Sequence, residues 1–574
     1  MEFPVIRREP ESANKALVDG PVTNGQIEDR IAHTQEKELA GGANWVVQKY
    51  GGTSVGKFPL KIVEEIVMAG LQPPNNQRIA VVCSARSTGS KAEGTTNRLL
   101  RAARDAEAGS WNFASIVQSL REDHLDALTA SLPGARLMPA SPELDAITTH
   151  YAAQVNAVCD HLLKVLESAL FLKDVTSQTM DMVMSVGEKL SCLYMTALLQ
   201  SRSVHAVYVD LSDAIPVSAA PAPKSLNEAF YATLAATFGT LIRALTADPA
   251  AVPVITGYFG KLPGSGGLLD HIGRGYTDLC AALIAVGMGA RELQIWKEVD
   301  GIFTADPRKV PTARLLPSVT PSEAAELTFY GSEVIHPFTM DQVIRAGIPV
   351  RIKNVMNPRS AGTVILPDVV EEGQSRRKGL IRNRSTSLLA NSMAGRGRGP
   401  KRPTAVTIKP NITVLNIHSH NRTRAHGFLM SIFSTLDRHG LSVDLLASSE
   451  VHVSMALHCE PPPSTPTNPA QRTPADDAQT ENLALQSTVD DLLATWSCDI
   501  DLVPNMAIIS LVGRDLRSMV GISGRFFGVL GRTGVNVEMI SQGASEISIG
   551  CVIEAREAVR ALNVVHTELF TFLE

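Results

Sequence analysis

A lysine set in front of a glycine pair is the first group in this chain placed to do chemistry: Lys49-Tyr50-Gly51-Gly52-Thr53-Ser54-Val55-Gly56-Lys57-Phe58. From Gly51 the spacing is G-x-x-x-x-G-K, one residue short of the P-loop, which needs Ser or Thr after its lysine to put a hydroxyl on Mg²⁺. Phe58 stands there instead, so the P-loop reading fails. A strand ending in Gly-Gly still lets backbone N–H groups approach an anion, and a following helix N-terminus adds a favourable dipole. Lys49, at the strand end, is then placed to bring its ammonium to a transferred phosphoryl group. A structural turn with a surface lysine explains the same letters, because short glycine motifs often misfire.

Three further stretches carry groups of a suitable kind. In His271-Ile272-Gly273-Arg274-Gly275-Tyr276-Thr277-Asp278 an arginine lies in a glycine loop and an aspartate opens a predicted helix. A guanidinium fork matches a carboxylate bidentately and a nearby carboxylate takes an ammonium, so Arg274 and Asp278 together suit a zwitterionic amino acid. A salt-bridged helix cap accounts for the pair as well. Glu188 follows Gly187 and is read as starting a helix, where the dipole stabilises a carboxylate and simple capping competes with a binding role. Ile295 to Pro311 reads as a strand, an Asp-Gly turn and then Asp306-Pro307-Arg308, a loop able to wrap a nucleotide without specifying which.

These groups need strands that end at one edge of a sheet. "WVVQKYGG" predicts a strand ending at the first loop, "LKIVEEIVMAG" a helix ending on Gly70, and "RIAVVCSA" a buried strand. The chain from about Asn112 to Gln200 reads mainly helical. Strands follow in "VHAVYVD", "VPVITGYFG", "ELQIWKEVDGIFT" and "IPVRIKNV", with the helix "TDLCAALIAVGMGA" among them. Strands alternating with helices predict a mostly parallel sheet covered on both faces.

Beyond Pro367 the composition turns polar, basic and glycine-rich, as in a linker; its "GRGRGP" has no preceding strand and is not a dinucleotide fingerprint. Two similar units follow. "ITVLNIHSH", "GFLMSIFSTLDRHG", "LSVDLLASSE" and "VHVSMALH" parallel "MAIISLVG", "GISGRFFGVLGRTG", "VNVEMISQGAS" and "EISIGCVIE". That is an internal repeat of strand, helix, strand, strand. Cys459 to Thr480 is Pro/Thr-rich and reads as a surface loop interrupting the first unit.

Composition bounds the rest. At 574 residues, 44% hydrophobic and 19% charged, the chain suits a soluble protein of about three to four domains. A net charge of −5 points to neither nucleic acid nor membrane as partner. The seven cysteines form no C-x-x-C pair, which disfavours a zinc site or disulfide framework. No apolar run is read as reaching spanning length, and residues 1–44 are read as a disordered lead-in without the marks of a signal or transit peptide.

Taken together, "KYGGTSVG", "SVGE", "GRGYTD", "WKEVDGIFTADPR" and "EAAELTFYGSEVIHPFT" strongly resemble the aspartokinases of the amino-acid kinase superfamily, and the repeated units resemble their paired ACT domains. The resemblance runs from about Trp45 to the C-terminus, and "YGSEVIHPFT" with the Pro/Thr insertion is most similar to the fungal form. It implies an α/β fold: a three-layer α/β/α sandwich at 45–367, a linker at 368–405, and two ferredoxin-like βαββαβ (ACT) regulatory domains. These are expected at 406–500, with the insertion at 459–480, and at 501–574. A monofunctional chain is expected, since the second repeat runs to the last residues and leaves no room for a dehydrogenase domain.

The resemblance also implies an activity: transfer of the ATP γ-phosphoryl group, with Mg²⁺, to the side-chain carboxylate of L-aspartate, as the first step of threonine and methionine biosynthesis in the cytoplasm. Lys49 is expected to neutralise the transferred group, and Gly51, Gly52, Thr53 and Ser54 to form the phosphate loop. Aspartate is expected at Glu188, Arg274, Thr277 and Asp278, with Ser84 and Thr96 as further substrate-loop positions. Lys297, Glu298, Phe303 and Arg308 are expected at the nucleotide. Where many bacterial members have Thr-Asp this chain has Lys297-Glu298, and Glu333 replaces a nucleotide-binding lysine. Effector contacts are expected at Asn421, Ala425, His426, Gly427, Phe428, Leu429, Ser442, Val443, Asp444, Ser449 and Glu450, with Asn536 and Ile540 opposite. Threonine is favoured over lysine as effector, and assembly into a homo-oligomer through the ACT domains is expected. Ordinary turn chemistry is the alternative for the Ser-Glu strand ends. Glutamate or acetylglutamate kinase activity and a catalytically dead amino-acid sensor are the rival readings; the former leaves the ACT repeat unexplained and the latter leaves Lys49, Glu188, Arg274 and Asp278 intact without use.

The physics agrees with a carboxyl kinase. An aspartate side chain, which ordinarily titrates at about 3.9, is already ionised at neutral pH and needs no general base. The difficulty is bringing one anion against a polyanion, which alignment and charge neutralisation resolve.

Overall fold

A computed structural model describes residues 44–89, 93–132, 142–215, 228–246, 248–260, 276–331, 335, 337–366, 402–420, 427–449, 452–458, 474–543 and 547–571. The expected lead-in, apart from Asn44, and the expected linker up to Lys401 lie outside these residues.

The first sheet is built on β1 (Trp45–Tyr50), β2 (Arg78–Cys83), β3 (Ala206–Val209), β4 (Val252–Thr256), β5 (Glu292–Lys297) and β7 (Val350–Asn354). With β6 (Ser318–Val319) and β8 (Thr363–Ile365) its order is β3-β4-β2-β1-β5-β7-β8-β6. Every pairing from β3 to β7 is parallel, and β8 closes antiparallel on β7. These strands are apolar nearly throughout because both faces are covered. One face carries α1 (Gly52–Lys57), α2 (Lys61–Met68), α3 (Thr95–Glu107), α4 (Asn112–Ser131), α5 (Pro142–Leu172) and α6 (Ser177–Gln200), in a core around Tyr50, Val81, Leu99 and Leu190. The other carries α7 (Glu228–Leu245), α8 (Tyr276–Met288) and α10 (Pro337–Arg345), around Val47, Phe238 and Leu283, with α9 (Pro321–Phe329) packed through Ala324 and Leu327. This is the expected α/β/α sandwich.

Contrary to the reading of the apolar runs, α6 is long and apolar enough to cross a membrane, the one such helix among the described residues. It is also 89% buried in that window, so its hydrophobicity serves the core.

The second sheet has the order β10-β11-β9-β12-β14-β13. Its strands are β9 (Ala405–Ser419), β10 (Ser442–Ser448), β11 (His452–His458), β12 (Cys498–Val512), β13 (Met539–Ser541) and β14 (Ser548–Glu554). The repeat is plain in the backbone: α11 (Phe428–Arg438) and α13 (Ile522–Arg532) both start after a left-handed glycine, Gly427 and Gly521. α12 (Pro474–Thr495) begins inside the stretch read as loop. α14 (Ala558–His566) belongs to the second unit and runs on into a π-helical turn at Thr567–Thr571.

β9 and β12 pair antiparallel along almost their whole length, from Ala405↔Val512 to Ser419↔Cys498. Each serves both units. Val406 and Ile408 join Ala507, Ile509 and Leu511 under α13 and α14, whereas Leu415 and Ile417 join the core under α11 and α12. Midway, each strand carries Pro-Asn with the asparagine left-handed: Asn411 at φ 60° and Asn505 at φ 59°. The register of β12 shifts at Val503–Met506. A slip of one residue would turn the side chains to the wrong face. The Pro-Asn kinks insert the extra residue that keeps Ile412, Val414, Met506 and Ile508 together in one central cluster with Leu445, Met539, Val552 and Tyr330.

Candidate active site

Ligands in open α/β sheets bind beyond the C-terminal ends of the strands, where the strand order reverses. β1 and β5 are neighbours here, and their onward connections lead toward opposite edges of the sheet. The glycine loop follows β1 and Glu298 follows β5, so the two flank that crevice.

At its floor, Lys49 Nζ lies 2.6 Å from Asp278 Oδ1, with each side chain 12% exposed. Asp278 stands in the first turn of α8, beside the buried Thr277. Thr277 Oγ1 donates to Glu188 Oε1 at 2.8 Å. Glu188 is fully buried, and its Oε2 has no partner. Burial pushes its carboxyl up to about 7, against the opposing pull of hydrogen bonds from Thr277 and Tyr276 and of the Lys49 ammonium. The Lys49–Asp278 ion pair and the Thr277–Glu188 hydrogen bond thus stand side by side, joined where Thr277 and Asp278 follow one another in α8.

Glu188 does not start a helix, as its sequence neighbours suggested. α6 begins at Ser177 behind the Thr176 cap, so Glu188 is mid-helix. Gly187 is there for packing: a Cβ on it would fall 2.8 Å from Ala85 Cβ and 3.1 Å from Thr95 Cγ2. Its bareness lets α6 lie against the loop after β2 and brings Glu188 to the crevice.

The glycines of the first loop divide their labour. A Cβ at Gly52 would meet Ala85 O at 2.0 Å and one at Gly56 would meet Ser87 O at 2.1 Å, whereas Gly51 faces open space. Gly52 and Gly56 let α1 rest on the Ala85–Ser87 backbone, and Ser87 N donates to Gly52 O at 2.9 Å. Gly51 leaves free volume at the loop itself. Thr53 is exposed, and Ser54 is buried, donating to Glu298 Oε1 at 2.7 Å. Ser54 and Glu298 thus clasp the two sides of the crevice.

The remaining expected positions are less gathered. Ser84 is half-buried just after β2, its N–H donating to Tyr50 O at 3.1 Å. Thr96 is exposed in the first turn of α3, and its neighbour Thr95 is the buried one. Lys297 is half-buried at the end of β5. Phe303 pairs with Leu315 across the base of the following loop, and Arg308 is exposed, its N–H donating to Asp306 Oδ1 at 3.0 Å. Arg274 and Glu333 lie outside the described residues. Among the described residues no group of three His, Cys, Asp or Glu side chains could hold a metal ion.

Sequence reasoning missed Tyr276. It is half-buried, its ring meets Tyr258 edge-on at 6.1 Å, and desolvation together with the Glu188 charge pushes its phenol well up. Its position inside Gly-Arg-Gly-Tyr-Thr-Asp, next to Thr277, was the available signal.

In the regulatory pair, Gly427, Phe428 and Leu429 start α11, with Phe428 edge-on to Trp496 at 5.1 Å and Leu429 exposed. Ser442 is exposed and Val443 half-buried. Asp444 is not open: its side chain is 1% exposed and Oδ1 lies 2.8 Å from Lys409 Nζ, which also stands 4.8 Å above the Phe329 ring. Asp444 Oδ2 has no partner. Ser449 makes turn contacts, with N donating to His452 O and Oγ accepting from His452 N. Asn536 and Ile540 are exposed. Asn421, Ala425, His426 and Glu450 lie outside the described residues.

Comparison with known proteins gives the same picture. A model of the amino acid kinase family matches residues 44–354, and an ACT domain model matches 509–569. The chain is 48% identical to the aspartokinase of Saccharomyces cerevisiae, covering 92% of this chain and 93% of that one. It is 46% identical to the aspartokinase of Schizosaccharomyces pombe over 94% of this chain and 95% of the relative. Among solved structures, Escherichia coli aspartokinase III in complex with aspartate and ADP is similar at a TM-score of 0.63 and 26% identity, covering 92% of this chain and 99% of that one. The same enzyme with lysine and aspartate matches at a TM-score of 0.65, with 26% identity over 92% of this chain and 100% of that one. With a buried carboxylate beside a lysine-aspartate pair at the strand ends, and relatives this close over nearly the whole length, the chain belongs to the aspartokinases of the amino acid kinase family.

Proposed function

We propose that this aspartate kinase holds its substrates with the residues around the Lys49–Asp278 pair. That ion pair beside the unpartnered Oε2 of Glu188 is the observation that carries the assignment. Glu188 and Asp278 take the ammonium end of L-aspartate, and Arg274, from the resemblance, takes its α-carboxylate. The side-chain carboxylate then faces the γ-phosphoryl group of ATP, lying along the Gly51–Ser54 loop toward Arg308. Lys49 is released from Asp278 as substrate arrives and neutralises charge on the group in flight. No proton has to be removed from the nucleophile, so the enzyme's work is alignment and charge neutralisation.

Mg²⁺ suits this site as an ion brought in on the nucleotide. The nearby carboxylates are already engaged by Lys49, Thr277 and Ser54, leaving its remaining positions to phosphate oxygens and water. When bound, it neutralises charge on the ATP phosphates.

The wider reading is of a cytoplasmic, feedback-regulated first enzyme of threonine and methionine synthesis, with threonine as effector. Support for threonine over lysine comes from the resemblance to the fungal form. Exposed Leu429, Met430, Phe433, Leu446 and Ile540 support self-association through the ACT pair.

Trapping the acyl phosphate with hydroxylamine, with aspartate, glutamate and acetylglutamate side by side, tests the assignment. Aspartyl hydroxamate alone is expected, and its absence from folded protein sinks the reading. The same assay with threonine or lysine added identifies the effector, and light scattering gives the oligomeric state.

A further inference from the structure

The expected nucleotide loop does not stand by itself. Thr304, next to Phe303, uses every polar atom it has. Its N–H donates to Arg314 O at 2.9 Å, and its carbonyl accepts from Val406 N at 2.8 Å, at the start of β9. Its hydroxyl oxygen accepts from Arg314 N at 2.9 Å and lies 2.8 Å from His566 Nε2. Whichever ring nitrogen carries the proton, Nε2 faces Thr304 Oγ1 and Nδ1 faces Thr312 Oγ1, at 3.3 Å. The imidazole therefore bridges the two strands of the loop.

His566 is the last residue of α14 and is fully buried, stacked on Phe570 with 5.0 Å between ring centres. The same C-terminal segment grips the loop twice more. Phe570 O accepts from Arg314 Nη2 at 2.8 Å, and Asn563 Nδ2 donates to Lys309 O at 2.9 Å. Ala305 and Val310 are built into the hydrophobic core of the second ACT unit. The base of a catalytic-domain loop is thus made of regulatory-domain atoms.

We infer that His566 is a positioning residue for ATP: from the end of the regulatory unit it fixes the base of the loop that presents Phe303 and Arg308 to the nucleotide. This rests on the assignment of that loop to the nucleotide, and the experiment separates the two.

Initial rates are measured on the full chain with ATP and aspartate varied separately, for the wild type, Arg308→Ala, His566→Ala, His566→Gln and Thr312→Val. His566→Ala is expected to raise the KM for ATP about five- to tenfold, the worth of a lost buried hydrogen bond, because the loop loses its bridge. The KM for aspartate and kcat stay within about twofold of the wild type, a split that general loosening of the fold does not produce. His566→Gln, whose amide can still meet Thr304, regains part of the loss. Thr312→Val removes only the Nδ1 partner, gives a smaller rise in the same constant, and decides the matter if His566→Ala does not fold. If Arg308→Ala raises the KM for ATP while folded His566→Ala and Thr312→Val leave it alone, the inference is overturned and the nucleotide assignment stands. If Arg308→Ala has no effect either, both fall. An equal rise in both substrates' KM overturns the positioning role as well.

Discussion

Lys49 Nζ and Asp278 Oδ1 meet at 2.6 Å across the junction of β1 and α8, closing the floor of the crevice with an ion pair rather than with two open charges. The ammonium is held at the strand end by a partner that a substrate ammonium can take over. Removing the lysine should cost chiefly the chemical step. Lys49→Ala is expected to lower kcat by about 10²- to 10³-fold, the typical cost of deleting one preorganised charge-stabilising group, with a smaller change in the KM for aspartate. Asp278→Asn should do the reverse, weakening aspartate binding more than turnover. Steady-state hydroxamate kinetics distinguish the two, and the opposite pattern would refute the roles given to the pair.

Glu188 provides a pH signature. Its carboxyl is raised to about 7 by burial from an ordinary value of 4.5. In the free enzyme the group is therefore largely protonated below about pH 7, and a protonated carboxyl does not attract the substrate ammonium. The kcat/KM for aspartate should fall with decreasing pH through about 7, and Glu188→Gln should abolish that inflection.

The same shift has a stability consequence of opposite sign. A raised native pKa favours the native state fully below about pH 4.5, loses that contribution progressively up to about 7, and contributes nothing above it. Between those limits the wild type should lose stability relative to Glu188→Gln at a rate approaching about 1.4 kcal/mol per pH unit. Parallel denaturant melts at several pH values measure it, and a constant difference would count against the buried carboxyl.

The glycines of the first loop should separate stability from activity. Gly52→Ala and Gly56→Ala drive a methyl into Ala85 O and Ser87 O, and each should cost at least about 1–3 kcal/mol in folding. Gly51→Ala meets nothing within 4 Å, at a φ of −72° that alanine adopts freely, so the fold should be unharmed. A rise in the KM for ATP without a change in melting temperature is expected for Gly51→Ala alone.

Lys409→Ala leaves the Asp444 carboxylate buried and unpaired, and should destabilise the regulatory pair by about 3–5 kcal/mol. Lys409 also bridges β9 to Phe329 at the end of α9, so feedback inhibition should weaken more than catalysis. Inhibition curves for threonine on Lys409→Arg, which keeps the charge, provide the folded control.

Much of this was legible in the sequence, for identifiable reasons. The strands around Lys49 and Ile295 are short apolar runs bounded by glycines, and such runs declare themselves. Lys49, Thr277 and Asp278 could be placed because each follows directly from a strand end or opens a helix. Glu188 was found but misplaced: Gly187 looks like a boundary in one dimension, and only the proximity of Ala85 and Thr95 explains why a helix runs through it. Ser54 and Glu298 could not be paired from sequence, because nothing local joins residues so far apart in the chain. The Pro-Asn kinks were overlooked for a related reason. Each reads as a turn, yet both sit inside strands, where the left-handed residue supplies a shift of face.

The sharing of β9 and β12 between the two ACT units has a consequence for the order in which the molecule can be built. Ala405 to Lys409 leave the ribosome before the whole first ACT unit, but their partners, Ile508 to Val512, are made only after it. During synthesis these early residues are an unpaired edge, kept waiting while the first unit folds beyond them. The second unit is thus begun first and finished last, with the first enclosed within it. The regulatory pair is one topological object: a chain severed at residue 500 would lose the partner strand of both halves at once.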